Sequence, residues 1–129
     1  MRIEHVAVWT EDLQRLADFY CGYFGASSGP VYVNPGKGFE SRFLSFEGGT
    51  RIELMTTSTL KLATTERGAQ RLGLAHFALS TGTQQAVDEL TQRLRQDGFD
   101  VVDGPRRTGD GYYESVVLDP DGNRIEITI

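Results

Sequence analysis

The chain has 129 residues, a formal net charge of −5 and a sequence pI near 5.0. This length, with 39% hydrophobic residues, suffices for one domain or for two small halves that share a core. The acidic charge repels phosphate backbones, no stretch approaches the roughly 18 apolar residues of a membrane span, and no signal-peptide pattern is present. We therefore expect a cytoplasmic protein that binds neither nucleic acid nor membrane.

The first half of the chain predicts a strand, a helix and further strands. Thr10 is the predicted N-cap of the helix, whose apolar residues recur at helical spacing, and Gly25 ends it. The segment 47–50 contains two glycines and predicts a hairpin turn. The predicted strands, identified by alternation and β-forming residues, are 2–9, 31–33, 42–46 and 51–55. The polar segment 56–73 then separates the two halves.

The second half repeats this order. A helix is predicted over 84–96, and Gly98 lies at its end. A loop is predicted from Gly104 to Gly111. The predicted strands are 74–80, 99–102, 113–118 and 124–129. Each half is therefore βαβββ.

The repeat predicts an α+β fold with a single domain over 1–129, built from two tandem βαβββ modules at about 1–58 and 72–129. The curved mixed sheets of the modules are expected to enclose a cleft, with the helices on the outer face. Such a cleft offers a place where side chains from both modules meet.

In each copy of the repeat a histidine comes first and a glutamate comes last. Glu53 follows His5 by 48 residues, and Glu126 follows His76 by 50. His5 and His76 are the only two histidines in the chain. Two imidazoles and two carboxylates suit a borderline divalent ion such as Zn²⁺, Ni²⁺, Co²⁺, Mn²⁺ or Fe²⁺. We therefore predict these four residues as ligands of one divalent metal.

Strand alternation supports this prediction but leaves an alternative open. The apolar neighbours of Glu53 and Glu126 must face the helix, so both glutamates face the other side of the sheet. A single histidine on a strand is more often a packing or surface residue, and an Arg-Ile-Glu alternation is typical of any half-exposed sheet. The matching positions in the two copies favour the metal site.

The whole chain resembles the vicinal oxygen chelate superfamily, which includes glyoxalase I, extradiol dioxygenases, fosfomycin thiol transferases, methylmalonyl-CoA epimerase and bleomycin-resistance proteins. The motifs that carry the resemblance are Ile3-Glu4-His5, Thr10-Glu11-Asp12-Leu13, Phe19-Tyr20 and Asp119-Pro120-Asp121-Gly122-Asn123-Arg124-Ile125-Glu126. The family's metal positions fall on His5, Glu53, His76 and Glu126. This complete set is similar to that of bacterial glyoxalase I, or lactoylglutathione lyase.

The resemblance implies a metal-dependent lyase that isomerises the hemithioacetal of methylglyoxal and a thiol, in a homodimer with its sites at the interface. A carboxylate that can leave the metal moves a proton between neighbouring carbons. Glu126 is the first candidate for this base and Glu53 the second. Trp9 replaces an arginine that often contacts glutathione in glyoxalase I, so the resemblance leaves the thiol cosubstrate, glutathione or another, unassigned.

Four residues are candidates for contact with a small-molecule substrate. Trp9, Phe46 and Tyr113 can line a pocket, and Arg107 can bind an anionic group. Core packing of the aromatic residues and a solvated arginine are the alternatives. For the function as a whole, the alternatives are another superfamily enzyme, such as a thiol transferase, epimerase or dioxygenase, and a non-catalytic small-molecule binding or resistance protein.

Overall fold

A computed structural model describes residues 1–61 and 64–129. Within these ranges the helices are α1 (Leu13–Phe24) and α2 (Gln84–Gln96). The strands are β1 (His5–Trp9), β2 (Ser27–Ser28), β3 (Tyr32–Asn34), β4 (Phe39–Ser45), β5 (Arg51–Thr57), β6 (Phe77–Ser80), β7 (Val101–Arg107), β8 (Tyr113–Leu118) and β9 (Arg124–Thr128). Two compact units, Met1–Thr64 and Thr65–Ile129, each contain one helix and one mixed sheet. Neither described helix is long and apolar enough to cross a membrane.

The sheet of the first unit has the strand order β1-β5-β4-β2, and β3 also pairs with β4. Strand β1 runs parallel to β5, and the other pairs are antiparallel. One face of the sheet is buried against α1, because apolar side chains alternate along the strands and recur at helical spacing on α1. This core consists of Val8, Leu13, Leu16, Ala17, Phe19, Tyr20, Leu44, Ile52 and Leu54.

Helix α1 begins two residues later than Thr10 predicts. Its N-cap is Asp12, whose carboxylate accepts a hydrogen bond from the backbone N–H of Arg15 at 2.9 Å. Thr10 still belongs to the end of the sheet, since its N–H donates to the carbonyl of Met55 at 2.8 Å. The prediction of Thr10 as the cap is therefore wrong. Gly25 does end the helix, in the left-handed conformation that favours glycine.

The second unit has the strand order β6-β9-β8-β7, with β6 parallel to β9. Helix α2 spans the predicted residues and buries Val87, Thr91 and Leu94 against the sheet. Strand β7 continues to Arg107 through the segment predicted as a loop from Gly104. The reason is pairing with β8, which persists across two irregularities in the register.

The two helices and two mixed sheets confirm the predicted α+β class and are consistent with two βαβββ modules. The second unit follows this order directly. The first unit adds the two-residue strand β2, which the sequence analysis did not predict. The boundary between the units falls within the polar segment 56–73.

Candidate metal centre

Parallel strand pairing places each predicted histidine beside a predicted glutamate. In the first sheet, Ala7 lies level with Glu53, two residues beyond His5. In the second sheet, Ala78 lies level with Glu126, two residues beyond the histidine of that half. Because side chains alternate along a strand, each glutamate shares a face of the sheet with its histidine. The same His–Glu pair therefore occurs twice, at the same register.

His5 is held on both sides of its ring. Its Nε2 lies 3.7 Å from Oε2 of Glu53, and its Nδ1 donates to Oε2 of Glu4 at 2.5 Å. The other oxygen of Glu4 accepts from Nε of Arg51 at 2.9 Å. The Phe43 ring meets His5 edge-on at 5.4 Å between centroids and lies 4.1 Å from the Arg51 guanidinium carbon. We call Glu4, Arg51 and Phe43 the His5 clamp.

The clamp changes the acidity of its carboxylate. The hydrogen bond from His5, and then the one from Arg51, lowers the pKa of the Glu4 carboxyl. Glu4 therefore stays ionised, and an ionised carboxylate only accepts hydrogen bonds. The sequence contains a partial signal for the His5 clamp, since Glu4 adjoins His5 and alternation places Arg51 on the face of Glu53. The contact between Glu4 and Arg51 joins positions far apart in the chain, so the sequence alone does not predict it.

His76 has a simpler environment. Its Nε2 lies 3.1 Å from Oε2 of Glu126. Ala75 precedes it where the first half has a glutamate. Arg124, the counterpart of the clamp arginine, donates instead to the carbonyl of Gly68 at 3.2 Å. Within residues 1–61 and 64–129, no side chain hydrogen-bonds to Nδ1 of His76.

The donor chemistry of the two pairs fits a borderline divalent ion, because each pair supplies one imidazole and one carboxylate. The side chains of Glu53 and Glu126 are 17% and 19% exposed, so both are partly desolvated and still accessible. In the described part of the chain, no three His, Cys, Asp or Glu side chains converge into a single metal-holding group. The structure thus brings the predicted ligands together as two separate pairs.

Another carboxylate, absent from the sequence prediction, shares the face of Glu126. Val116 lies level with Glu126, and Glu114 is two residues away on the same strand. Burial raises the pKa of Glu114, and the negative charge of Glu126 raises it further. Arg106 lies opposite Glu114 and pairs with Asp103 at 2.5 Å, which lowers the pKa of Asp103. The second His–Glu pair therefore has an acidic surrounding.

Trp9 lies on the same face as His5 and Glu53, beside two further aromatic residues. It is 48% exposed, and its ring meets Phe39 edge-on at 6.4 Å. Tyr32 is 58% exposed and also lies 6.4 Å from Phe39. The register of β1, β3, β4 and β5 places all three on the face of Glu53. We call Trp9, Phe39 and Tyr32 the aromatic row.

The other predicted substrate contacts lie elsewhere. Phe46 is partly buried and follows β4 at the start of the turn. The Arg107 guanidinium lies 5.8 Å from the Tyr113 ring centroid. The Tyr113 hydroxyl donates to Asp88 of α2 at 2.6 Å, which raises the pKa of Tyr113 and places it on the helix side of the sheet. The roles of these three residues in substrate binding stay predictions.

Solved structures share this fold. The trypanothione-dependent glyoxalase I of Leishmania major is 21% identical with a TM-score of 0.75, covering 99% of this chain and 86% of that chain. Glyoxalase I from Zea mays is 22% identical with a TM-score of 0.78, covering 98% and 44%. A possible glyoxalase from Bacillus cereus is 24% identical with a TM-score of 0.71, covering 100% and 99%. No curated protein matches the chain.

The family is established by a match along nearly the whole chain. The model of the Glyoxalase/Bleomycin resistance protein/Dioxygenase superfamily matches residues 2–127. This range contains both His–Glu pairs and every helix and strand except the last residue of β9. The chain therefore belongs to the Glyoxalase/Bleomycin resistance protein/Dioxygenase superfamily.

Proposed function

We propose that this chain is a divalent-metal-dependent lyase or isomerase of the glyoxalase I type. Its proposed substrate is a small oxygen-chelating molecule, such as the hemithioacetal of methylglyoxal and a thiol. The observation that carries the proposal is the His–Glu pair that recurs at the same register in both halves. Membership of the superfamily and a fold shared with glyoxalase I structures support it.

We assign the metal to His5, Glu53, His76 and Glu126, with one ion of nickel, zinc, cobalt, manganese or iron per site. In this proposal the protein is a homodimer, and the first pair of one chain acts with the second pair of its partner. When bound, the ion supplies a Lewis acid that polarises the oxygens of the substrate. Four protein ligands leave positions for those oxygens if the ion is five- or six-coordinate.

Glu126 is the proposed base, and Glu53 is the second candidate. The carboxylate takes a proton from the carbon beside the substrate carbonyl and returns it to the neighbouring carbon, so the reaction is an isomerisation with no net gain or loss of atoms. Partial burial suits this role. A carboxylate that is partly desolvated and still accessible can contact a substrate carbon directly.

Metal analysis and activity of matched variants test the proposal. His76→Ala is expected to lower the metal content of the purified protein, because it removes one ligand. Glu126→Gln is expected to lower kcat by about 10²–10⁴-fold, the usual contribution of a general base. Glu40→Gln is the control, because Glu40 pairs level with Thr56 on the opposite face of the first sheet. The assays combine methylglyoxal with glutathione and with other thiols.

Two results would overturn parts of the proposal separately. A fully metal-loaded protein that isomerises no hemithioacetal, whatever the thiol, is not a glyoxalase, although its metal site stands. Unchanged metal content in His76→Ala would remove His76 from the ligand set.

The aromatic row favours a second candidate, a protein that binds an aromatic small molecule without converting it. Trp9 and Tyr32 are exposed on the sheet face that carries the first His–Glu pair, and aromatic rings stack on flat ligands. Trp9 is the only tryptophan, so its fluorescence reports on this surface alone. Quenching by aromatic compounds in metal-free protein, without turnover in the loaded protein, would favour the binder.

A further inference from the structure

We propose that Glu4 is a positioning residue that makes the two halves of the site unequal. It fixes His5 with the proton on Nδ1 and leaves Nε2 free for the metal, whereas no residue that the structure describes holds His76 in this way. The first His–Glu pair is then the anchor of the ion and the second is the adaptable pair. This inference rests on the proposed metal site.

The hydrogen bond to Glu4 sets the tautomer of His5. A neutral imidazole has one N–H donor and one acceptor nitrogen, and the ionised carboxylate of Glu4 only accepts. The 2.5 Å contact between Nδ1 of His5 and Oε2 of Glu4 therefore requires the proton on Nδ1. The lone pair of Nε2 then points to the side of Glu53, 3.7 Å away. A carboxylate behind a histidine in this way orients the ring and strengthens it as a metal ligand.

The rest of the clamp prevents Glu4 from turning away. Arg51 binds the oxygen of Glu4 that His5 does not use, through Nε at 2.9 Å and through a second guanidinium nitrogen. Arg51 in turn lies over the Phe43 ring, and that ring meets His5 edge-on. The contacts close a circuit from His5 through Glu4, Arg51 and Phe43 back to His5, so the ring plane as well as the tautomer is held.

The second half lacks the carboxylate and the ring of this circuit, and its arginine, Arg124, donates to the carbonyl of Gly68 instead. Ala75 stands where the first half has Glu4, and its methyl group accepts no hydrogen bond. Val116 lies level with Glu126, as Phe43 lies level with Glu53. The repeat therefore preserves the predicted ligands and the arginine, but not the carboxylate and the ring that connect the arginine to the histidine in the first half.

The exposure of the clamp argues against a role in stability alone. The side chains of Glu4, His5 and Arg51 are 52%, 38% and 36% exposed, and ion pairs at such exposure contribute little to folding. Holding the His5 ring in one orientation has little effect on the free energy of unfolding. It does raise the affinity for the metal, because the ring has less conformational freedom left to lose when it binds the ion.

Metal affinity and histidine tautomers in Glu4→Ala test the proposal. Glu4→Ala is expected to weaken metal binding by about 10–100-fold, the usual effect of losing a carboxylate behind a metal-binding histidine. ¹⁵N NMR of the metal-free protein is expected to show protonated Nδ1 for His5 in the wild type and loss of that preference in the variant. Glu40→Gln, which removes the same charge from the opposite face of the sheet, should change neither.

A second comparison separates the two halves. If the first pair is the anchor, Glu53→Gln weakens metal binding more than Glu126→Gln does. Arg51→Met, which leaves Glu4 present but unclamped, should lie between the wild type and Glu4→Ala in both affinity and tautomer preference.

The outcomes distinguish this inference from the proposed function. Wild-type metal binding that Glu4→Ala leaves unchanged, or a His5 tautomer that is the same in both proteins, overturns the anchor role while the metal site stands. A wild-type protein that binds no divalent ion overturns both proposals. Unfolding of Glu4→Ala would also contradict the proposal, because it would show a structural role that the exposed contacts do not predict.

Discussion

At the scale of single residues, the two glutamates on the face of the second sheet illustrate how the surroundings set a carboxyl group's chemistry. Oε2 of Glu126 lies 3.1 Å from Nε2 of His76. Glu114 is on the neighbouring strand β8, two residues before Val116, which pairs with Glu126. Burial is the main cause that raises the pKa of Glu114 above its ordinary value of 4.5, followed by repulsion from Glu126. Glu114 therefore retains its proton to higher pH than an ordinary glutamate does.

This difference predicts a pH-dependent stability for Glu114→Gln. The folded protein binds the Glu114 proton more tightly than the unfolded chain does, so ionisation of Glu114 destabilises the fold as pH rises above 4.5. Glutamine does not ionise. We therefore expect metal-free Glu114→Gln to gain stability relative to the wild type between pH 4.5 and 7, measured by urea unfolding at each pH. A constant difference across this range would contradict the prediction.

A second prediction at this scale concerns the turn before β9. Asp119 is fully buried, and its carboxylate accepts from the backbone N–H groups of Asp121 and Asn123 and from the Asn123 side chain, at 2.8–2.9 Å. Asp119→Ala is expected to lower the free energy of unfolding by about 2–4 kcal/mol, because it removes the acceptor of three part-buried donors. Urea unfolding measures the loss. A variant within about 0.5 kcal/mol of the wild type would show that the turn forms without this carboxylate.

At the scale of elements, one buried polar contact joins α2 to β8. The Thr91 hydroxyl donates to the carbonyl of Val87 at 2.6 Å and lies 2.6 Å from the Ser115 hydroxyl, and both side chains are buried. Val87 and Leu94 are the buried apolar residues of the same helix, and the other polar contact between α2 and β8, from Tyr113 to Asp88, is exposed. The helix is thus positioned by a polar pair within an apolar interface.

Removing the Thr91 hydroxyl is expected to lower the free energy of unfolding more than removing the Ser115 hydroxyl does. Thr91→Val keeps the shape but leaves the Ser115 hydroxyl without this partner, which costs about 1–3 kcal/mol of unfolding free energy. Ser115→Ala costs less, since Thr91 keeps its bond to Val87. The double variant should lose less than the sum of the two, by a double-mutant cycle from urea unfolding. Additive losses would mean that the hydroxyls are not coupled.

At the scale of the whole molecule, the internal repeat allows the two His–Glu pairs of one metal site to come from the same chain or from two chains. Each unit holds one His–Glu pair, and a four-ligand site needs two pairs. The proposed homodimer supplies the second pair from the partner chain.

Mixing two inactive variants tests this arrangement. One variant carries His5→Ala with Glu53→Gln, and the other carries His76→Ala with Glu126→Gln. If the pairs combine between chains, each variant alone binds little metal, while a refolded equal mixture recovers about one quarter of the wild-type sites, because half of the dimers are mixed and each regains one site. Native mass spectrometry counts them. Mixed dimers that bind no metal would instead assign both pairs to one chain.

Local patterns predicted those parts of the fold that depend on neighbouring residues. The apolar spacing of α2 gave both of its ends, and alternation in the last hairpin gave the face of Glu126. The repeat also predicts that His5 and His76 occupy matching positions in the two halves. These features follow from the spacing of apolar and polar residues within a few turns or strands, and this spacing is present in the sequence itself.

Tertiary pairing decided the features that local patterns left open. Thr10 has the chemistry of a cap, but its N–H pairs with Met55, and Asp12 caps the helix instead. Arg107 follows a glycine and a proline, yet pairing with β8 keeps it in a strand. The His5 clamp joins Glu4 to Arg51, 47 positions along the chain. The sequence by itself determined the α+β repeat and the residues that form the two His–Glu pairs, whereas the register between distant strands determined how each pair is held, because only the folded sheet brings those side chains together.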